Sequence, residues 1–243
     1  MRDIIFEVCA ETLDACLAAR DGGADRIELC AALCEGGLTP SHGLMRQAVQ
    51  SSGLPVHAML RPRRGDFVYT ILELTAMREE LEHMRHSGAS GAVFGFLQED
   101  GTVDVERTRE FVRLSGPLEV TFHRAFDQTP FLKQALEDVI AAGCKRVLTS
   151  GGRPDVVEGA ESLAELVTQA AGRIEIAAGG GLRMENAAMV AQITGARHFH
   201  GSVRRAMDEG TSENFGSDTL ECSRSYTVNR CDIRAMIENL KNA

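Results

Sequence analysis

The feature that most constrains this chain is an eightfold repetition. A short run of β-branched or apolar residues, a polar or glycine-rich turn and a helix-period segment follow one another eight times. The strand-like runs fall at 4–9, 25–30, 55–60, 91–97, 118–123, 146–150, 174–178 and 197–200, with starts mostly about 20–32 residues apart. Short strands alternating with helices predict parallel pairing, because each helix serves as a right-handed crossover. Eight units predict closure, since an open sheet would leave two edges to protect. The expected fold is therefore α/β, a single TIM-type (β/α)8 barrel domain with parallel strands spanning 1–243, and the length of 243 residues suits it. The competing architecture is an open doubly wound sheet. The first turn, Ala10-Glu11-Thr12, lacks the GxGxxG fingerprint of its dinucleotide-binding form.

Helical stripes support the repeat. Ile71, Leu74, Met77, Leu81 and Met84 follow i, i+3, i+4 spacing, and Phe131, Leu132, Ala135, Leu136, Val139 and Ile140 do the same in the fifth unit. Leu163, Leu166, Val167 and Ala170 repeat the pattern in the sixth. Glycines at 22–23, 88 and 143 are placed to stop helices before the next strand. An irregular excursion is expected over about 210–229, followed by a C-terminal helix over about 232–241.

Composition excludes several function classes. A net charge of -9 opposes generic binding to phosphodiester backbones or anionic membranes, and the absence of Trp with only two Tyr removes a base-stacking platform. No nucleic-acid partner and no membrane partner are therefore expected. No run reaches the roughly 18 apolar residues of a membrane span. The N-terminus enters a strand-like run without a signal segment, and the seven cysteines form no CxxC pair. These observations predict reduced thiols and a cytoplasmic location.

In a parallel barrel the strand C-termini open on one face, so polar residues there are the candidates for function. Glu7 and Cys9, Glu28 and Cys30, His57 and Arg61, His123 and Arg124, Thr149 and Ser150, and His198 and His200 all end strands. Period-two alternation puts Glu7 with Cys9, Glu28 with Cys30, and His57 with Arg61 on shared faces. Inward carboxylates need cationic or hydrogen-bonding partners. One reading is a structural ion-pair network plugging the barrel top. The other is an acid/base and charge-recognition cluster, with Glu7, Glu28, His57, Arg61, His123 and Arg124 as candidate catalytic residues.

Glycine-bearing turns at the ends of the last two strand runs suggest an anion site. Gly180 and Gly181 after the seventh, and Gly201 and Ser202 after the eighth, would let backbone N–H groups approach a phosphate or similar anion, with 203–208 as a short extra helix. Ordinary tight turns are the competing reading. Arg61-Pro62-Arg63-Arg64-Gly65-Asp66 forms either an anion-binding lip or a solvated loop. Cys9 and Cys30, at the ends of adjacent strands, offer soft donors to Cu(I) or Zn(II), with Cys34 further into the same loop. Buried structural thiols are the alternative.

Together these motifs resemble the CutC family of copper homeostasis proteins. The resemblance rests on Phe6-Glu7-Val8-Cys9, Asp25-Arg26-Ile27-Glu28-Leu29-Cys30 and Gly36-Gly37-Leu38-Thr39-Pro40-Ser41. It continues through Arg61-Pro62-Arg63, Gly65-Asp66-Phe67, Thr121-Phe122-His123-Arg124-Ala125-Phe126-Asp127 and Val147-Leu148-Thr149-Ser150-Gly151. It runs from the first strand to the eighth and weakens after about Met207. Arg64 departs from the family's frequent glycine and makes the lip more basic. The resemblance implies a TIM-type barrel, a cytoplasmic homo-oligomer (a homodimer first) and participation in copper homeostasis with copper as a ligand at Cys9 and Cys30. Beside it stand two other functions: an enzyme acting on a small phosphorylated or carboxylated metabolite at the C-terminal face, and a non-catalytic ligand sensor.

Overall fold

The computed structural model describes residues 3–207 and 225–243. Eight parallel strands close into a barrel in chain order: β1 (Ile5–Ala10), β2 (Arg26–Leu29), β3 (Val56–Met59), β4 (Gly91–Phe94), β5 (Glu119–Phe122), β6 (Arg146–Thr149), β7 (Glu175–Gly179) and β8 (His198–Gly201). β8 pairs back onto β1, with Glu7 opposite His200, so the barrel itself has no open edge. Seven helices lie between successive strands: α1 (Leu13–Gly22), α2 (His42–Ser52), α3 (Ile71–His86), α4 (Val105–Ser115), α5 (Leu132–Ala142), α6 (Ala160–Ala170) and α7 (Ala187–Thr194). α8 (Arg230–Lys241) packs between α1 and α7 and covers the closing seam. Its Ile233 lies so close to Gly22 that a Cβ there would come within 2.6 Å of it.

The helix ends follow local chemistry. Thr70 and Glu73 form a reciprocal capping box at the start of α3, while Gly23 and Gly143 take left-handed conformations that end α1 and α5. Leu74, Met77, Leu81 and Met84 are buried as the stripe predicts, but Ile71 and Phe131 are 80% and 71% exposed. Both sit where a helix begins, above the layer that its later turns cover.

Strand alternation divides the interior. Phe6, Val8, Ile27, Leu29, Phe94, Phe122 and Phe199 face outward and belong to the main apolar layer beneath the helices. The inward face is different. A small apolar cluster of Cys9, Cys30, Met59 and Val93 is separate from that layer, and much of the remaining lining is charged. Barrels of this type commonly fill the same space with branched aliphatics.

The short helix expected at 203–208 does not form. Val203 takes a positive φ of 47°, which a helix cannot continue through. Arg204–Ala206 (β9) instead pairs antiparallel with Tyr226–Val228 (β10). The second of these strands lies within the stretch expected to be irregular, and most of that stretch falls outside the described residues. Among the described residues, no helix is long and apolar enough to cross a membrane.

Candidate active site at the barrel mouth

The charged interior has two levels. At the lower level Arg146, with a fully buried side chain, bonds Glu119 at 3.1 Å, pairs with Glu175 and donates to Thr121 Oγ1 at 3.1 Å. His198 Nδ1 lies 3.6 Å from Glu175, and His57 Nε2 lies 3.9 Å from Glu119. Burial pushes His57 down to about 4, so it is neutral at physiological pH. Above these groups Arg26 pairs with Glu7 inside the barrel. Burial alone would raise the Glu7 pKa, but Arg26 and then His200 outweigh it and hold the carboxylate well below its ordinary range.

His200 joins Glu7 to Glu28. Its Nδ1 is 2.8 Å from Glu7 Oε1, and its Nε2 is 3.9 Å from Glu28 Oε1. Burial opposes its charge, but the two carboxylates outweigh burial and raise its pKa. Glu28 is 2% exposed and accepts a hydrogen bond from Cys9 Sγ at 3.5 Å. Its other oxygen, Oε2, has no hydrogen-bond partner among the described residues, and burial raises its pKa. Cys9 Sγ is 3.8 Å from Cys30 Sγ. That contact and burial keep Cys9 a thiol.

His123 and Arg124 stand at the end of β5. His123 is buried, its ring centroid 4.8 Å from that of Phe67, and its Nδ1 accepts the Ala125 N–H at 3.2 Å. Burial, followed by the Arg61 charge, lowers its pKa to about 3. The neutral ring therefore carries its proton on Nε2, which has no partner among the described residues. Arg124 donates to Asp127 Oδ2 and to Ser150 Oγ, both at 2.8 Å. Asp127 also takes the N–H groups of Ser150 and Gly152 and the Thr149 hydroxyl, so it organises the turn after β6.

Glycine makes room for three of the interior histidines, His57, His123 and His200. A Cβ at Gly91 would sit 2.6 Å from the His57 ring, one at Gly95 2.7 Å from the His123 ring, and one at Gly179 2.9 Å from His200 Cβ. Gly180 and Gly181 have φ of +103° and +73°, and a Cβ on Gly180 would fall 2.8 Å from the Arg124 guanidinium carbon. Gly201 differs, since a Cβ there would make only ordinary contact with Phe6 at 3.6 Å.

A cavity of about 880 Å³ opens at this end of the barrel. It brings together Glu28, Arg61, His123, Arg124, Cys9, Gly180, Gly181, Gly201 and Ser202, each given a candidate role in the sequence, with His200, named there only as a strand-end residue. Glu7 and His57 do not line it; they lie beneath. Cys30 stands behind Cys9, fully buried, and is not a wall residue. Arg61 spends much of its hydrogen-bonding capacity on the carbonyls of Glu35, Gly37 and Gly65, which ties two loops together. Cys34 is disulfide-bonded, which overturns the expectation that every thiol is reduced.

Sequence reasoning missed the structural parts of Arg26, Arg146 and Asp127, and it named His200 among the strand-end polar residues without giving it a catalytic or metal-binding role. A signal was present for His200, whose neighbouring strand ends in Gly179, the glycine that makes room for it. Cys9, Glu28 and His200 offer one ligand atom each within 4.8 Å of one another, a group able to hold a metal ion.

The comparisons agree with this architecture. The CutC family model matches residues 4–205. The chain belongs to the CutC family. A family protein CutC from Chromobacterium violaceum is 50% identical over 202 residues, covering 83% of this chain and 82% of that protein. Another from Mesorhizobium japonicum is 47% identical over 196 residues, covering 81% and 76%. The CutC crystal structure from Streptococcus agalactiae superposes with a TM-score of 0.78 at 33% identity, covering 82% of this chain and 98% of that one. Thiamine phosphate pyrophosphorylase from Pyrococcus furiosus, at 12% identity and a TM-score of 0.61 over 99% and 96% of the two chains, shares the fold alone.

Proposed function

We propose that this CutC-family protein is an enzyme acting on a small phosphorylated or carboxylated metabolite at the C-terminal mouth of its barrel. One observation carries the reading: the Gly180–Gly181 and Gly201–Ser202 turns, Arg124, and the buried polar groups of Glu28, His123 and His200 line a single cavity of metabolite size. The cavity wall holds five arginines against three carboxylates, although the chain as a whole carries a net charge of -9. This local excess of positive charge favours an anion. Titration calorimetry with inorganic phosphate and with pyruvate tests it. Binding of either anion that is weakened at least tenfold in Arg124→Gln supports the reading; no binding of either at millimolar concentration overturns it.

A second reading is copper homeostasis with direct Cu(I) binding, and the proximity of Cys9, Glu28 and His200 favours it. The donors fit. A thiol and an imidazole suit a soft ion, and the Glu7 contact at Nδ1 leaves Nε2 of His200 toward Glu28. The S. agalactiae relative carries copper homeostasis in its name. Cys9, Glu28 and His200 would hold the ion, with Cys30 beside them; the ion would supply a soft Lewis acid and would bind Cys9 as its thiolate, the displaced proton being released to solvent. Competition with a Cu(I) chelator tests this reading. Near-stoichiometric uptake lost in Cys9→Ala supports it, and equal, weak uptake by both proteins overturns it. The cytoplasmic location and the homodimer belong to the same proposal, the latter checked by light scattering of the purified chain.

A further inference from the structure

We infer that His123 and Arg124 form one recognition element for an anion that carries a carbonyl oxygen, with His123 Nε2–H as the donor to that oxygen. The inference rests on the anion-pocket reading above and specifies its ligand class.

The two residues are consecutive and line the same cavity, yet their chemistry differs. Arg124 is half-exposed and cationic. Its Nε and Nη2 are committed to Asp127 and Ser150, and its guanidinium lies over Gly180. It therefore presents a fixed positive charge beside the glycine turn, suited to the anionic end of a ligand.

His123 is only 4% exposed. The Ala125 N–H occupies Nδ1, so the proton of the neutral ring is on Nε2, and that atom has no hydrogen-bond partner among the described residues. A buried donor of this kind needs an acceptor. Phe67 packs on the ring, and Gly95 admits it where any Cβ would collide. Its orientation is thus built into the fold.

An uncharged donor beside a guanidinium matches an uncharged acceptor beside an anionic group. A carbonyl oxygen meets that requirement without adding a donor of its own, as a hydroxyl would. A donor held in this way also stabilises negative charge as it develops on the oxygen, without the proton leaving the ring. The ligand class that follows is a 2-oxo carboxylate or a phosphorylated ketone.

Two matched pairs of probes test the inference by calorimetry: pyruvate against propionate, and dihydroxyacetone phosphate against glycerol 3-phosphate. In the wild type at least one carbonyl compound binds about tenfold more tightly than its partner, the worth of one well-placed hydrogen bond. The pair that discriminates identifies the anionic group. In His123→Phe the discrimination disappears while propionate or glycerol 3-phosphate binds as before, and His123→Gln, which keeps an N–H, restores part of it. Binding without discrimination in the wild type, or discrimination unchanged in His123→Phe, overturns the inference and leaves the anion pocket standing. Absence of binding by all four probes overturns both. A readout independent of variant folding is the infrared carbonyl band of the discriminating probe, pyruvate or dihydroxyacetone phosphate labelled with 13C at its C2 carbonyl, on the wild type. Hydrogen bonding to the carbonyl lowers its frequency, and an unshifted band contradicts the assignment.

Discussion

The lower and upper levels of the barrel interior use the same residue types for different ends. Below, Arg146, Glu119, Glu175, His198 and His57 neighbour one another as ion pairs or near pairs, and none of them lines the cavity. Above, Glu28 and His123 do line it. Among the described residues both levels hold buried atoms without a hydrogen-bond partner, His57 Nδ1 and Arg146 Nε below, Glu28 Oε2 and His123 Nε2 above. Only the upper ones belong to cavity-lining side chains. A buried charge among complementary partners is a plug. A buried polar group facing a cavity is equipped to meet a ligand. The difference lies in depth along the strand rather than in residue type, and His200 joins Glu7, which does not line the cavity, to Glu28, which does.

The sharpest way to break this contrast is to unpair the interior beneath the cavity. Arg26→Met leaves Glu7 buried without its guanidinium, with both side chains under a tenth exposed. A loss of about 3–5 kcal/mol in denaturant unfolding is expected. A loss under about 1 kcal/mol would mean that His200 alone balances Glu7.

The next effect is acid lability from the neutral histidines. An unperturbed histidine takes a proton near pH 6.5, whereas folded His123 resists to about 3 and His57 to about 4. Below pH 6.5 the unfolded state therefore binds more protons, and stability is lost as pH falls through this window. The slope is about 1.4 kcal/mol per pH unit for each ring. His200 acts in the opposite sense. Its raised pKa contributes stability that is present below its unfolded value and lost as pH rises through the folded one. Denaturant unfolding at pH 6 and pH 5 should show the wild type losing about 1.4 kcal/mol more than His123→Gln. Parallel profiles would show that His123 is not held neutral.

A third comparison separates the levels directly. Gly91→Ala crowds His57 and Gly95→Ala crowds His123, with Cβ contacts of 2.6 and 2.7 Å. Each should cost about 1–3 kcal/mol in thermal or denaturant unfolding. Only Gly95→Ala should reduce the preference for a carbonyl-bearing anion over its partner, by up to about tenfold. The smallest effect is expected at Gly201→Ala, where the Cβ has room. Stability should change by less than about 0.5 kcal/mol. Loss of phosphate binding in that stable variant would place the ligand against this turn.

Much of the scaffold was legible in the chain. Strand placements read from alternation agree with the structure to within a residue or so at most ends, as at 146–150 against Arg146–Thr149. Alternation also placed Glu7 with Cys9 and Glu28 with Cys30 on inward faces. It did not separate Glu7 from Glu28 or His57 from His123. Strand stagger around the barrel sets their relative depths, and Glu28 sits opposite Cys9 rather than Glu7. The helix expected after the eighth strand failed for a related reason, because Val203 and the distant Tyr226–Val228 strand decide the path there.

The sequence by itself determined the closed barrel, its polar mouth and its membership of the CutC pattern. Period-two and period-3.6 hydrophobicity are local properties of the chain, and eight repeats leave one economical closure. Only the tertiary structure decided which charges neutralise one another and which face the cavity. Pairing and desolvation depend on distances between residues as far apart as Glu7 and His200, which no local pattern records.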